Sequence, residues 1–171
     1  MTRNHAREIA VHLSFAHTFS DQSADEFLEQ SLSRGAFDRL KTEETLYEEY
    51  PNEKQRRYIG ALVKGVYDHG AELDSYISRY AIGWAFSRIS RVSAAIMRVA
   101  MYEVLYMPDV PAAAAINSAV ELAKHYEAPE AAAFINGILG AFVRGELPPE
   151  RAASPAENAE KAGEDEQEGG E

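Results

Sequence analysis

No cysteine occurs in the 171 residues of this chain. Disulfides, thiolate nucleophiles and cysteine-ligated zinc are therefore excluded. No apolar run approaches the roughly 20 residues that cross a bilayer. The N-terminus lacks the continuous apolar stretch and small-residue cleavage site of a secretory signal. These absences fit a soluble, cytoplasmic protein with no membrane partner. A glycine-rich phosphate loop is also missing, since Gly137 and Gly140 fall inside an apolar stretch and read as close-packing points. Runs of alternating β-branched residues bounded by hairpin turns are absent, which removes the signal for strands. Basic residues are scarce: 17 Lys and Arg face 28 Asp and Glu, for a formal net charge of −11.

The acidity is uneven. Residues 146–171, "ELPPERAASPAENAEKAGEDEQEGGE", hold nine acidic and two basic residues and almost no large apolar ones. Such a segment buries too little surface to offset its ordering entropy and is expected to be a disordered acidic tail. Residues 1–145 are only mildly acidic, with nineteen acidic and fifteen basic residues. A local basic patch on this body is therefore compatible with a nucleic-acid partner, because phosphates respond to local charge.

What the body does contain is helical pattern. Glu, Ala, Leu, Arg and Lys dominate, and Gly and Pro sit mostly at boundaries. Apolar spacing predicts helices over about 3–18, 25–32, 52–80, 91–106, 112–126 and 130–144. Gly35 ends the second, and Asn52 is positioned to cap the third. A turn with a helical piece is expected before Pro51, and a connection or short helix over 82–90. Ile116, Val120 and Ala123 point inward from the fifth. The last helix is apolar over a wide arc and is expected to be central.

Catalytic chemistry has no clear carrier. His5 and His12 share a flank of the first helix while His17 lies elsewhere, without the i, i+4 pair of a helical zinc site. They read as surface or interface histidines, and no metal or other cofactor is implied. Glu43-Glu44 and Glu48-Glu49 lie in a strongly polar stretch, where a solvated face is expected rather than a tuned acid. Asn117 and Asn136 fit either satisfied core amides or ligand contacts. The chain does not read as an enzyme.

The opening "TRNHAREIAVHLSF" holds Arg3 and Arg7 four residues apart. Ala6, Ile9, Leu13 and Ala16 make a core stripe, while Arg7, Val11 and Phe15 make a second line. That line is either packed under a neighbouring helix or a cation-plus-aromatic strip suited to RNA.

Four segments carry a family resemblance: "AREIAVHLSF", "WAFSRISRVSAAIMRVAMYEVL", "VPAAAAINSAVELAKHY" and "AFINGILGAF". In this order, over about residues 3–144, they resemble the NusB family of transcription antitermination factors. The resemblance implies an all-α fold, a compact bundle of about six to seven helices in two subdomains. It implies binding of boxA-type single-stranded nascent RNA together with NusE, which is ribosomal protein S-ten. It also implies a place in an RNA polymerase antitermination complex on ribosomal RNA operons. Carried over by motif, Arg3, Asn4, Arg7, His12 and Phe15, with Glu130 and Phe134, form the RNA surface. Trp84, Arg88, Arg91, Tyr102 and Glu103 fall on the NusE side. Some family members form homodimers that hide the RNA surface. This sequence departs from the family in having only two N-terminal arginines, Ser118 in place of the usual acid, and the extra acidic tail. A helical interaction module without RNA binding, or an RNA-binding module of a ribosomal RNA methyltransferase system, are the alternative readings.

Overall fold

The computed structural model describes residues 1–152. Helices α1 (Arg3–His17), α2 (Ala24–Ser31), α3 (Arg34–Leu40) and α4 (Glu53–Asp68) come first. Helices α5 (Gly70–Tyr80), α6 (Arg91–Tyr106), α7 (Ala112–Tyr126), α8 (Pro129–Glu146) and the short α9 (Pro149–Ala152) follow. Single 3-10 turns lie at Thr45–Tyr47 and Phe86–Arg88. The described residues contain no strand, and the fold is all-α as expected.

Helix α6 is the hub, packing on α1, α4, α5, α7 and α8. Its small and flexible side chains, Ala94, Ala95, Met97, Ala100 and Met101, are buried and allow close approach from all sides. The last helix is thus not the centre: α8 packs chiefly on α7 and leaves Ala133, Asn136 and Gly137 exposed. Helices α1, α2 and α4 pack together on one side of α6. Helices α5, α7 and α8 pack on the other, so one core joins both groups.

Local chemistry explains the boundaries. Ser23 and Asn52 form capping boxes with Glu26 and Gln55, satisfying the free N–H groups of α2 and α4. Pro129 opens α8 at a position whose N–H needs no partner.

Several expectations are corrected. The helix expected over 52–80 is two helices that meet at His69, whose ring stacks against Tyr106 at 4.3 Å. The break lets α5 turn Leu73 and Ile77 into the core. Gly35 does not end a helix but lies inside α3, which Ser33 caps and which buries Ala36 and Phe37. Ala16 is exposed, whereas Val11 is core and Phe15 packs against it. Asn117 and Asn136 are both exposed, so neither is a core amide. Ile116 and Val120 are only half-buried, and Ala115, Ala119 and Leu122 take the inner face of α7. The folded body also runs past residue 145: α8 continues to Glu146, and Arg151 in α9 donates to the Val104 carbonyl at 2.8 Å. The rest of the expected disordered tail, residues 153–171, lies outside the described residues.

Candidate nucleic-acid interface

Helix α1 runs antiparallel to α6, because Arg7 meets Glu103 near one end and Phe19 meets Arg91 near the other. This brings the end of α1, the start of α6 and the α7–α8 junction to one surface. Phe15 and Phe19 stand edge to face at 5.2 Å, and the Arg91 guanidinium sits 5.0 Å from the Phe19 ring. Phe19 is 60% exposed. Ser90 caps α6 and also donates to Glu127, which ties the α7–α8 turn to the same place. Next to it, Trp84 and Phe134 pack at 5.5 Å with rings inclined by 58°. Gly83, at φ +82°, makes the backbone turn that presents Trp84 outward. Trp84, Arg88, Ile89, Glu127, Glu130 and Phe134 line a cleft of about 260 Å³.

The two residue sets separated in the sequence therefore merge here. Trp84, Arg88 and Arg91, expected on the NusE side, share one strip with Glu130 and the half-buried Phe15 and Phe134, expected on the RNA side. The strip offers ring faces for stacking, guanidinium groups for anions and a carboxylate acceptor. Phe19 belongs to it but was missed, although its position four residues after Phe15 signals a shared face.

Where the other end of α1 meets α6, two candidates are overturned. Arg7 is buried, 2% exposed, and cannot present its charge to a ligand. Its Nε donates to Glu103 Oε1 at 2.8 Å and its Nη1 to Asn4 Oδ1 at 2.7 Å. Glu103 is fully buried and also accepts from the Tyr58 hydroxyl, so it is equally unavailable to a partner protein. Burial and the Glu103 carboxylate together push the Tyr58 phenol above its ordinary pKa. Arg3 remains exposed, with its guanidinium 4.5 Å above the Tyr58 ring, and Asn4 is exposed beside it.

The histidines are structural contacts. His12 shares a 2.7 Å hydrogen bond with the Tyr47 hydroxyl and packs 6.5 Å from Tyr126. Tyr126 in turn donates to Glu8 at 2.6 Å. Burial first, and then this bond, raise its pKa. His17 is buried between Phe27 and Tyr67 rather than on the surface. Among the described residues, no three His, Asp or Glu side chains are grouped to share a metal ion.

Tyr102 lies apart from the strip, near the end of α6. It stacks on Tyr106 at 4.9 Å and fills the space left by Gly65. Tyr106 donates to Glu72 at 2.8 Å. Burial works against ionisation of Glu72, yet the bonds from Tyr106 and His69 hold its carboxylate below the ordinary range.

A model of the NusB family matches residues 4–144. This chain belongs to the NusB family. A transcription antitermination protein NusB from Acetivibrio thermocellus is 40% identical over 148 residues, 86% of this chain and 92% of the relative. One from Ruminiclostridium cellulolyticum is 32% identical over 92% of this chain and 99% of its own length. The fold is similar to that of T. maritima NusB, with a TM-score of 0.72, 26% identity and coverage of 88% and 96%. It is also shared with the structure of antitermination factors NusB and NusE in complex with dsRNA, at a TM-score of 0.66 and 20% identity, over 84% of this chain and 96% of that one. The matched region covers all but the ends of the run from α1 to α8.

Proposed function

We propose that this chain is a bacterial transcription antitermination factor. It binds boxA-type nascent RNA together with NusE, ribosomal protein S-ten, and helps an RNA polymerase complex read through ribosomal RNA operons in the cytoplasm. The observation that carries the reading is the family match over residues 4–144. The exposed strip at the α1, α6 and α8 junction supplies a physical route.

In this reading Phe15, Phe19, Trp84 and Phe134 stack on unpaired bases, which favours single strands regardless of base identity. Arg3, Arg88 and Arg91 meet phosphates. Asn4 and Glu130 meet base edges or hydroxyls, and His12 acts through Tyr47 and Tyr126 as a positioning residue. Arg7 acts through Asn4 and Glu103, as a positioning residue. The chain binds and assembles; it catalyses no reaction.

Few cations serve this surface, so the RNA affinity of the chain alone has a shallow salt dependence. Three phosphate contacts on a single strand give a log–log slope of about −2. NusE supplies the remaining contacts. The acidic tail beyond residue 152 acts as a solubilising segment.

The test is transcription in vitro past a terminator placed behind a boxA leader. Adding this chain with its cognate NusE raises read-through, and a scrambled boxA abolishes the gain. Equal read-through on both templates overturns the proposal.

A further inference from the structure

The described body ends beside a group of cations. Arg151 donates to the Val104 carbonyl at 2.8 Å, which holds α9 at the end of α6. The preceding residue, Glu103, accepts from Arg7 and from the Tyr58 hydroxyl. The chain beyond Ala152 therefore starts at the end of the molecule where the first turns of α1 and α4 sit.

Those turns of α4 carry a belt of positive charge. On one flank the Arg3 guanidinium lies 4.5 Å from the Tyr58 ring, and Lys54 stands one turn before Tyr58. Arg57 is exposed on the outer face. On the other flank Arg34 and Arg56 approach the same Tyr50 ring, at 4.4 and 5.2 Å. Among the described residues, Arg3, Arg34, Lys54 and Arg56 form no ion pair. The nearest acids in sequence to this turn are Glu48, Glu49 and Glu53. Glu53 meets Arg57 at 3.5 Å with both side chains exposed, so that pair is weak, and Glu49 takes the Met1 ammonium. Cations concentrated in this way on an acidic chain make a local field that attracts a polyanion.

The same chain supplies one. Residues 153–171 hold seven acidic residues and one lysine. A segment of this length spans up to about 65 Å when extended, against a radius of gyration of about 15 Å for a compact body of this size. The belt is within its reach, and the covalent link sets an effective concentration on the order of millimolar. We propose that residues 153–171 dock on this belt and screen Arg3 from RNA. The contact itself stands apart from the function proposed above; its consequence for RNA rests on that reading. With the belt occupied about three-quarters of the time, about one-quarter of the chains are open, and an RNA that needs Arg3 binds about fourfold more weakly.

Because the chain has no cysteine, Gln167→Cys takes a single nitroxide label in the ¹⁵N-labelled full chain. Without RNA or NusE, at low salt, the label is expected to broaden the Arg3, Lys54, Arg57 and Tyr58 amides, and about 0.5 M salt removes the effect. Lys54→Glu with Arg57→Glu, two exposed changes that leave the core intact, also removes it. Arg144→Glu, at an exposed cation beside Ala152, leaves it in place. Replacing every Glu and Asp of residues 153–171 by Gln and Asn then raises RNA affinity, with NusE present, about fourfold at low salt. Absence of the broadening, its survival in the Lys54 and Arg57 variant, or equal loss on Arg144→Glu overturns the docking. Broadening with unchanged RNA affinity overturns the screening of Arg3. Broadening in a chain that binds no RNA with either tail overturns the RNA reading, and the screening with it, while the docking stands.

Discussion

Arg7→Ala removes one partner of a buried ion pair and leaves Glu103 charged in a fully buried position. Losing one side of such a pair costs about 3–5 kcal/mol, mostly as the penalty for the orphaned charge. For a domain of this size that lowers Tm by about 10 °C. RNA affinity falls as well, because α1 loses its anchor to α6. A simple alanine test therefore confuses an RNA contact with a structural one. The informative variant is Arg7→Met with Glu103→Leu and Tyr58→Phe, which removes the pair together with the hydroxyl that bonds to it. Apolar replacement of a whole buried network is often neutral, so Tm returns to within a few degrees of the native chain. RNA binding in the presence of NusE then returns to within about twofold, a difference of less than 0.5 kcal/mol. Differential scanning calorimetry and fluorescence anisotropy on the same samples decide it. A triple variant that melts normally yet binds RNA at least about tenfold more weakly refutes the structural role of Arg7.

Other outcomes follow from the same geometry. Phe134→Ala or Phe15→Ala removes a stacking face and weakens RNA binding by about 1–3 kcal/mol without a matching loss of NusE affinity, as read by separate titrations with each partner. Gly65→Ala drives a methyl into the Tyr102 ring and destabilises the fold by about 1–3 kcal/mol in urea denaturation. Burial and the nearby Glu44 raise the Tyr47 pKa from 10.0 to about 12, so its neutral form favours the fold. That stability is fully present below pH 10 and is lost as pH rises toward about 12. Melting curves across this window should fall less steeply for Tyr47→Phe.

Long periodic segments were the most legible in the sequence. Helices α1, α6 and α7 match their expected limits closely, because caps and prolines mark them. The break at His69 was harder to see. Apolar spacing continues through it, and only the packing of α5 against α6 and of His69 against Tyr106 decides the bend. Gly35 misled because glycine more often stops a short helix than sits in its first turn; here the Ser33 cap and the burial of Phe37 outweigh its propensity.

The site was legible in part. The aromatic positions Phe15 and Phe134 and the cation Arg91 could be chosen by motif, and the fold gathers them. The second line of α1 left two readings open, and the structure takes the packed one for Arg7 and Val11. Nothing in the sequence around Arg7 reveals Glu103, which lies 96 residues away. A buried ion pair between distant segments has no local signature. For the same reason, that residues expected on the RNA side and on the NusE side meet around Trp84 is visible only in the tertiary structure.

The most direct measurement is a titration of fluorescently labelled boxA-type RNA with this chain and equimolar cognate NusE, set against a scrambled RNA of equal length and charge. The account predicts clear preference for boxA, with binding of both RNAs weakened by Phe134→Ala. Equal affinity for both RNAs, or affinity unchanged by Phe134→Ala together with Phe15→Ala, contradicts it.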